Sequence, residues 1–418
     1  MTPPEILFLS HRIPYPPDKG DKIRSWAWLK HLSSRFRVHL ACFVDDPRDF
    51  VHREFLSTIC ETVELVPLSP RWSRLKSLRA LAAGAPLSFH YFNDQRMRAA
   101  VASARARPLA MEFAFSSAMA PFIEAPVSGR KRIVDFCDAD AEKWTQYASS
   151  APPMLAQLYA REGRRLAEAE TRIANWADAS FAISSEEADV FNRRASIGSP
   201  VKVLPNGVDA DFFAPANAAK AQKEIDIVFT GAMDYRANVE GVLSFVRSVW
   251  PLVRASRPGV SFAIVGANPV REILALNGEN GVTVTGRVED VRPWLANAKL
   301  VVAPLQVARG VQNKVLEAMA MAKPVVASEE AMTGIAAPSS AAVTESDPRE
   351  MADQILALLS DPENRDSIGG AARAFVLRNF SWQAALATLD ATLDELGVYT
   401  SSSPAISDGS VSSISVKR

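Results

Sequence analysis

The segment that decides the fold is residues 300–327, which read LVVAPLQVARGVQNKVLEAMAMAKPVVA. An apolar run at Leu300–Ala303 is followed by a glycine-containing loop, a helix-period stretch that opens near Gln312, and a second apolar run at Pro324–Ala327. Short apolar runs that alternate with amphipathic helices are typical of parallel strands joined by helical crossovers. The segment therefore predicts one strand–helix–strand unit of a parallel sheet.

The same alternation continues on both sides of this segment. In the second half we predict three more strands, at Ile225–Thr230, Val260–Val265 and Val282–Thr285. In the first half the predicted strands are Ile6–Ser10, Val38–Val44, Val63–Leu68, Arg132–Phe136, Ala179–Ile183 and Val201–Leu204. A turn signal at 205–209 and a polar stretch at 214–223 separate the two series. The sequence therefore predicts an α/β protein with two doubly wound parallel-sheet units joined near residue 210.

The chain has the composition of an ordinary globular protein. Of its 418 residues, 48% are hydrophobic and 22% are charged, and 47 Lys and Arg balance 47 Asp and Glu. These values exclude a disordered chain, a collagen and a coiled coil, and we expect no nucleic-acid partner. No apolar run approaches the roughly 20 residues that a bilayer span needs, and no basic lead precedes the first apolar run. We therefore expect a cytoplasmic protein.

Cysteine and histidine are placed unfavourably for a metal site. The three cysteines, Cys42, Cys60 and Cys137, are odd in number and far apart, which argues against a disulfide framework and a structural zinc. All five histidines lie at or before His90, so the distal part of the chain has no histidine for a catalytic or metal cluster. We expect no metal.

Ligands of open parallel sheets bind beyond the carboxyl ends of the strands. Three predicted strands are followed there by glycines: Gly20, Gly231 and Gly266. Neither Gly231 nor Gly266 belongs to a GxGxxG motif, which argues against dinucleotide-dependent hydride transfer.

The turn inside 300–327 offers the most informative candidate site. Arg309 and Lys314 flank the first turn of the predicted helix, whose unpaired backbone N–H groups form the positive end of its dipole. Two cations at a helix start suit a diphosphate. Glu317 lies one turn further on, where a carboxylate could accept hydrogen bonds from a diol. The alternative is that Lys314 and Glu317 form an ordinary surface pair three residues apart.

Several motifs together resemble the GT-B retaining glycosyltransferases of family 4. Glu317 matches the second glutamate of that family's Glu-x7-Glu motif, and the residues at 322–326, AKPVV, match the strand that follows it. The residues at 205–209, PNGVD, resemble the entry to the interdomain linker, and those at 380–382, FSW, the start of the last helix. The stretch 135–148, DFCDADAEKWTQYA, is similar to the sugar transferases associated with exopolysaccharide and PEP-CTERM systems.

This resemblance implies a GT-B fold, in which two Rossmann-like domains face a central cleft. It implies an acceptor-side domain at residues 1–208, a donor-binding domain at 209–380, and a helix at 381–396 that crosses back onto the first domain. The serine-rich remainder, 397–418, is predicted to be disordered.

The implied activity is transfer of a sugar, with retention, from a UDP- or GDP-sugar to a lipid-linked or polysaccharide acceptor in cell-surface glycan or exopolysaccharide synthesis. No cofactor is implied beyond the nucleotide sugar. The implied donor-binding residues are Gly20, Gly231, Gly266, Val288, Gly310, Val311, Gln312 and Glu317. The expected catalytic residues are Asp138, Arg309 and Lys314; Asp135 or Asp140 could take the place of Asp138, or all three could cap the following helix.

Two departures from the family pattern keep alternatives open. Arg309 stands where the family has its first motif glutamate, and Ala232 and Asn238 stand near the positions of a basic pair. We infer that Arg309 and Lys314 take over the phosphate charge. The alternatives are a non-catalytic GT-B scaffold that binds a nucleotide or polymer, and a nucleotide-sugar epimerase of the same fold.

The first half also contains a basic segment without acidic residues, 65–93, whose four cations are Arg71, Arg74, Lys76 and Arg79. Apolar residues recur within it every three positions, at Trp72, Leu75, Leu78 and Leu81. A basic amphipathic helix can lie on an anionic membrane surface, here the inner face of the cytoplasmic membrane. The alternative is a helix that packs its apolar residues into the core and leaves its cations in solvent.

Overall fold

The computed structural model of the protein describes residues 2–17, 20–194, 200–217, 224–308 and 311–398. Within them the chain forms two compact units. The first comprises the residues up to Pro205 together with those from Leu386 onward, and the second comprises Asn206–Ala385. Arg309, Gly310 and nearly all of the serine-rich tail lie outside the described residues.

The first unit is built on a seven-stranded parallel sheet. Its strands, in chain order, are β1 (Glu5–Ser10), β2 (Arg37–Val44), β3 (Thr62–Pro67), β4 (Leu109–Phe115), β5 (Lys131–Cys137), β6 (Ala179–Ala182) and β7 (Lys202–Val203). Their order in the sheet is β3-β2-β1-β4-β5-β6-β7. The helices of this part of the chain are α1 (Gly20–Ser33), α2 (Arg53–Leu56), α3 (Pro70–Ser77), α4 (Arg79–Ala83), α5 (Leu87–Phe92), α6 (Gln95–Arg105), α7 (Asp140–Ser150), α8 (Pro153–Trp176) and α9 (Ser185–Arg194).

The second unit is built on a six-stranded parallel sheet. Its strands are β8 (Ile225–Thr230), β9 (Phe262–Val265), β10 (Val282–Gly286), β11 (Ala298–Ala303), β12 (Val325–Ala327) and β13 (Val343–Thr344), in the order β10-β9-β8-β11-β12-β13. Its helices are α10 (Arg236–Ser248), α11 (Trp250–Ser256), α12 (Arg271–Leu274), α13 (Arg292–Asn297), α14 (Asn313–Ala320), α15 (Glu329–Met332), α16 (Pro348–Ser360) and α17 (Pro362–Asn379). A last helix, α18 (Trp382–Glu395), begins in the second unit and ends in the first.

Both sheets are buried on two faces, which explains why their central strands are almost continuously apolar. Residues 6–9 of β1 and 227–229 of β8 have no exposed surface. Strands of this kind belong to sheets that helices cover on both sides. The prediction of an α/β protein with two doubly wound parallel sheets is therefore confirmed.

Two strands were missed in the sequence, β4 and β13. β4 carries Glu112 in its middle, and an acidic residue inside a short apolar run argues against a buried strand. The Glu112 carboxylate is completely buried, but it accepts hydrogen bonds of 2.8 and 2.7 Å from the Arg105 guanidinium. β13 was missed because Val343 is the single large apolar residue of the stretch 338–348, so no apolar run marks this two-residue strand.

The basic segment does not pack its apolar residues into the core, so that alternative is wrong. The exposed fractions of its large apolar side chains are 68% for Trp72, 59% for Leu75, 49% for Leu78 and 41% for Leu81. The part of the segment that holds the four cations forms α3 and α4, and the buried residues of these two helices are small: Ser73, Ser77 and Ala80. The large apolar residues are therefore left on the surface.

The segments that enter and leave the second unit lie side by side. The Val208 amide donates a 2.7 Å hydrogen bond to the Phe380 carbonyl, and Val208 pairs with Ser381 as an isolated parallel bridge. A Cβ at Gly207 would lie 2.6 Å from the Trp382 amide nitrogen. This close approach explains the glycine of the PNGVD motif.

Among the described residues, no helix is both long enough and apolar enough to cross a membrane.

Candidate functional site

The carboxyl ends of β8, β9 and β10 surround a cavity of about 250 Å³ in the second unit. Its walls are residues that follow these strands and residues of α14: 230–232, 265–267, 287–289, Val291, Lys314 and Glu317. The structure therefore brings together five residues that the sequence nominated: Gly231, Gly266, Val288, Lys314 and Glu317. We call this space the second-unit cavity.

Two glycines let the backbones of neighbouring turns approach each other at this cavity. A Cβ at Gly266 would lie 1.7 Å from the Gly231 carbonyl oxygen, and one at Gly231 would lie 2.7 Å from the Asn238 Nδ2 atom. At Gly266 the obstacle is backbone, so that position needs glycine; at Gly231 the obstacle is a side chain, but the φ of 156° is a conformation that other residues rarely adopt. Because these glycines have no side chain, the cavity wall at both turns consists of backbone atoms that a ligand can approach closely.

Lys314 is a desolvated cation in the wall of the cavity. Its Nζ donates a hydrogen bond to Asn238 Oδ1 and lies 5.1 Å from the centre of the Phe229 ring. Asn238 is fixed in turn, because its Nδ2 donates a 2.9 Å hydrogen bond to the Ala232 carbonyl. Burial lowers the pKa of Lys314 to about 8, although the nearby Glu317 carboxylate acts in the opposite direction. A buried ammonium of this kind favours a bound anion, which restores the stabilisation that water would give.

Three contributors to this site were not nominated as site residues, although Asn238 was noted near the place of the family's basic pair. Asn238 positions Lys314, the exposed Arg287 adds a second cation to the lining, and the Thr230 hydroxyl is buried without a hydrogen-bond partner among the described residues. A usable signal existed for Thr230 and Arg287, because each lies at or just beyond the carboxyl end of a strand. Asn238, the third residue of α10, was noted only as a departure from the family's basic pair, and nothing in the sequence indicated its contact with Lys314.

Other nominated residues of the same segment lie apart from the cavity lining. Gln312 is the N-cap residue of α14, and Val311 packs against the core of the second unit. Arg309 and Gly310 lie outside the described residues, so their expected roles stay predictions.

The nominated residues of the first unit, Gly20 and Asp138, are at the carboxyl edge of its sheet. Gly20 opens α1, and an added Cβ there would meet nothing within 4 Å. Asp138 follows β5, and its Oδ2 accepts a 2.7 Å hydrogen bond from Lys143 Nζ, which also donates to Asp140 at 3.0 Å. Both carboxylates remain partly exposed.

The alternative residue Asp135 is already engaged, which argues against its contact with a reacting sugar. Its side chain is completely buried, and its two carboxylate oxygens accept hydrogen bonds of 2.7 and 3.1 Å from the buried guanidinium of Arg24. Removing either partner would leave an unpaired buried charge. Asp135 therefore stabilises the first unit.

A charged cluster follows β1. The Asp21 carboxylate lies 3.3 Å from His11 Nε2 and 2.5 Å from Arg12 Nη1. Burial would raise the pKa of Asp21, but the hydrogen bond from His11 and the charges of His11 and Arg12 hold it well below its usual range. Asp21 is thus an ionised anchor for the β1–α1 loop. In the described part of the chain, no group of three or more His, Cys, Asp or Glu side chains is arranged to hold a metal ion.

A family model described as Glycosyl transferases group 1 matches residues 224–361. The matched segment includes all six strands of the second unit and every residue that lines the second-unit cavity.

Two curated relatives are mannosyltransferases. The phosphatidyl-myo-inositol mannosyltransferase of Propionibacterium freudenreichii subsp. shermanii is 29% identical over 161 residues, which are 37% of this chain and 39% of the relative. The GDP-mannose-dependent monoacylated alpha-(1-6)-phosphatidylinositol monomannoside mannosyltransferase of Corynebacterium glutamicum is 29% identical over 200 residues, which are 43% of this chain and 52% of the relative. The chain thus spans about half the length, or less, of these relatives.

Solved structures resemble the chain over nearly its whole length. Sucrose-phosphate synthase from Thermosynechococcus elongatus has a TM-score of 0.67 at 18% identity, and the likeness covers 95% of this chain and 100% of that one. Anabaena HepE in complex with UDP-glucose has a TM-score of 0.59 at 18% identity, covering 94% and 99%. At this identity the likeness shows the fold alone. The chain therefore has the GT-B fold, and its residues 224–361 match the glycosyl transferases group 1 model.

Proposed function

We propose that the protein is a glycosyltransferase that moves a sugar from a nucleotide-sugar donor to an acceptor. The observation that carries the proposal is the second-unit cavity, where Lys314 and Glu317 face two bare glycine turns inside the segment that matches glycosyl transferases group 1. Both curated relatives are named mannosyltransferases, and one name specifies GDP-mannose. A solved structure of the same fold holds UDP-glucose.

The cavity suits the chemistry of a diphosphate leaving group. When the bond between sugar and nucleotide breaks, negative charge builds on the diphosphate, and preorganised cations stabilise that charge. Lys314, together with Arg309, would hold the diphosphate. The Glu317 carboxylate would accept hydrogen bonds from the ribose diol, and the bare backbone at Gly231 and Gly266 would let the nucleotide approach.

The finer parts of the proposal rest on the resemblance to family 4. Donor contacts at Gly20, Val288, Gly310, Val311 and Gln312, and contact of Asp138 with the reacting sugar or acceptor, belong to this proposal. So do retention at the anomeric carbon, a UDP- or GDP-sugar donor, and a role in exopolysaccharide synthesis linked to PEP-CTERM systems.

The experiment is to incubate the purified protein with a panel of nucleotide sugars, including GDP-mannose and UDP-glucose, with and without a lipid extract as acceptor source. Transfer, or slow hydrolysis of one donor, supports the proposal, and loss of either in Lys314→Ala links it to the cavity. Arg247→Ala is the matched control, since Arg247 is an exposed cation of the same unit outside the cavity.

The same panel separates the alternatives. Conversion of a nucleotide sugar into an isomer would favour the epimerase. Thermal protection by a nucleotide without any turnover would favour the non-catalytic scaffold, for which Arg309 in place of a motif glutamate is the main argument.

We also propose that α3 and α4 attach the protein reversibly to the anionic inner face of the cytoplasmic membrane, where a lipid-linked acceptor would be met. The support is the exposure of Trp72, Leu75 and Leu81 on these helices, and of Leu78 between them, close in sequence to the four cations that the helices carry. Each cation near an anionic surface contributes about 1 kcal/mol, over a range of roughly 8 Å at physiological salt. The attachment is therefore expected to be salt-sensitive.

Vesicle sedimentation tests this attachment. We expect the protein to sediment with anionic vesicles at low salt, to be released at high salt, and to stay in solution when Arg71, Arg74, Lys76 and Arg79 are all changed to Gln. The exposed Arg164 on α8 provides the control, Arg164→Gln. Equal sedimentation with neutral and anionic vesicles would contradict the electrostatic argument.

A further inference from the structure

A second, larger cavity lies in the first unit and has no part in the proposed donor site. Its volume is about 660 Å³, within the usual range of ligand pockets. Its walls are Lys76 of α3, Arg79 of α4, His90 of α5, residues 93–96 and Arg98. We call it the first-unit cavity.

The cavity has an excess of positive charge. Four cations line it, whereas Asp94 is the only carboxylate in its lining. The Asp94 carboxylate pairs with the Arg96 guanidinium, whose Nε and Nη2 donate hydrogen bonds of 3.0 and 2.8 Å to it. The carboxylate also accepts a hydrogen bond from the backbone amide of Arg96 at the start of α6. Lys76 also attracts this carboxylate, but a single negative charge leaves the cavity lining with an excess of positive charge.

The cations form two groups that differ in mobility. Arg98 is held in place by a 3.1 Å hydrogen bond from its Nε to Asn93 Oδ1, and its guanidinium lies 5.4 Å from the centre of the Phe122 ring. Lys76 and Arg79 are exposed, and neither makes a hydrogen bond or an ion pair through its side chain with any residue that the structure describes. Two fixed guanidiniums thus line the cavity together with two cations whose side chains make no hydrogen bond or close ion pair in the described part of the chain.

We propose that the first-unit cavity binds the phosphate of a phosphate ester, and that this ester is the acceptor's carrier. Arginine and lysine around one concave space are the groups that recognise multiply charged phosphate oxygens. Lys76 and Arg79 belong to the helices whose exposed Trp72 and Leu75 would contact a membrane, so a lipid phosphate headgroup is the expected source. In naming the acceptor class this inference rests on the proposed function, but the binding itself does not.

The chain offers a matched pair of double variants for the test. Lys76→Gln/Arg79→Gln and Arg71→Gln/Arg74→Gln each remove two charges from the same stretch of helix, but only the first pair lines the cavity. Both are made in a Lys314→Ala background, so that a phosphate bound in the second unit does not contribute. Thermal melting and circular dichroism of each variant establish that it is folded.

The first probe is inorganic pyrophosphate, measured by titration calorimetry. We expect the affinity to fall by about tenfold or more in Lys76→Gln/Arg79→Gln and by less than about twofold in Arg71→Gln/Arg74→Gln. The second probe is phosphatidylcholine vesicles that contain phosphatidic acid or phosphatidylglycerol at matched surface charge. Preference for phosphatidic acid that disappears only in Lys76→Gln/Arg79→Gln identifies a lipid headgroup as the ligand.

The outcomes separate the sources and the proposals. Pyrophosphate binding without a preference among vesicles keeps the cavity as a phosphate site and assigns it to a soluble ester. Equal losses in the two double variants, or no pyrophosphate binding together with no preference for phosphatidic acid, overturns the inference. Because no donor is present, a failure here leaves the proposed glycosyl transfer untouched, and absence of transfer leaves this binding result standing.

Discussion

The chemistry of the second-unit cavity depends at the residue scale on the cost of burying the Lys314 ammonium. Its only described hydrogen-bond acceptor is the neutral amide oxygen of Asn238, and the nearby Phe229 ring adds a weak attraction. Desolvation therefore dominates, and the pKa of Lys314 falls to about 8. The negative charge of a bound diphosphate would stabilise the Lys314 ammonium in place of the water that burial removes. This arrangement makes the charge of the site depend on pH close to neutrality.

We predict that affinity for the donor's nucleoside diphosphate weakens as pH rises through the Lys314 pKa of about 8. The protonated lysine is the form that attracts phosphate, and its fraction falls from about nine tenths to about one tenth between about one pH unit below and one above the pKa. Calorimetric titration over this range should show about a tenfold weakening. In Lys314→Arg, whose guanidinium stays charged, the profile should be nearly flat, and an equally steep profile in that variant would contradict the assignment.

A second residue-scale prediction concerns the glycine contact. Gly266→Ala places a Cβ where the Gly231 carbonyl oxygen stands at 1.7 Å, so one backbone must move. We expect a loss of about 1–3 kcal/mol in the free energy of unfolding and a loss of nucleotide binding. Gly259→Ala is the control, because its added Cβ would meet nothing within 4 Å. Unchanged nucleotide binding in Gly266→Ala would mean that this wall is not used.

The residues of the second-unit cavity were predictable only where sequence position carries the information. Gly231 and Gly266 lie just beyond strand ends, and Lys314 lies in the first turn of α14 with Glu317 one turn further on; parallel topology brings such positions to one edge of the sheet. Asn238 reaches the site by a side-chain contact across the cavity edge, which no spacing along the chain encodes.

At the element scale, strands whose buried side chains are all apolar were recognised in the sequence. β4 was missed because one of its buried side chains is a carboxylate that pairs with arginines. β1 and β8 are continuous apolar runs, whereas β4 contains the buried Glu112. Its charge is matched by Arg105 from α6 and Arg130 from the turn before β5. These partners are 7 and 18 residues away in sequence, so a local pattern could not reveal that the carboxylate is compensated.

A buried carboxylate also fixes a helix, and this leads to an element-scale prediction. Glu162 of α8 accepts hydrogen bonds from the amides of Leu87 and Ser88, at 2.7 and 3.0 Å, at the first turn of α5. Glu162→Ala leaves these N–H groups without an acceptor and should cost about 1–3 kcal/mol in the free energy of unfolding. Because α5 carries His90, phosphate binding by the first-unit cavity should weaken as well.

Glu168 provides the control on the same helix, since its side chain is 54% exposed and, among the residues that the structure describes, forms an ion pair with Arg165 alone. Glu168→Ala should change the free energy of unfolding by less than about 0.5 kcal/mol. Equal effects of the two variants in urea unfolding would show that the cap on α5 contributes nothing.

At the scale of the whole molecule, the last helix of the chain contributes to the core of the first unit. The second half of α18 belongs to the first unit, where Leu386, Leu389 and Leu393 are buried. Asp390 lies 2.7 Å from both His31 Nε2 and Arg35 Nη1 at the end of α1. The first unit therefore contains residues that follow the whole second unit in sequence, so its stability depends on non-local contacts.

Because of this dependence, we predict that a substitution near the end of α18 destabilises the first unit. Leu393 has no exposed surface, so Leu393→Ala should lower the free energy of unfolding of the first unit by about 2–5 kcal/mol. Leu377→Ala in α17, where the side chain is 42% exposed, should cost less than about 1 kcal/mol. Native-state hydrogen exchange distinguishes the units: in Leu393→Ala the amides of β1 and β2 should exchange faster while those of β8 and β9 stay protected. Faster exchange confined to β8 and β9, or unchanged exchange throughout, would place the end of α18 with the second unit and would remove the basis for a helix that returns to the first.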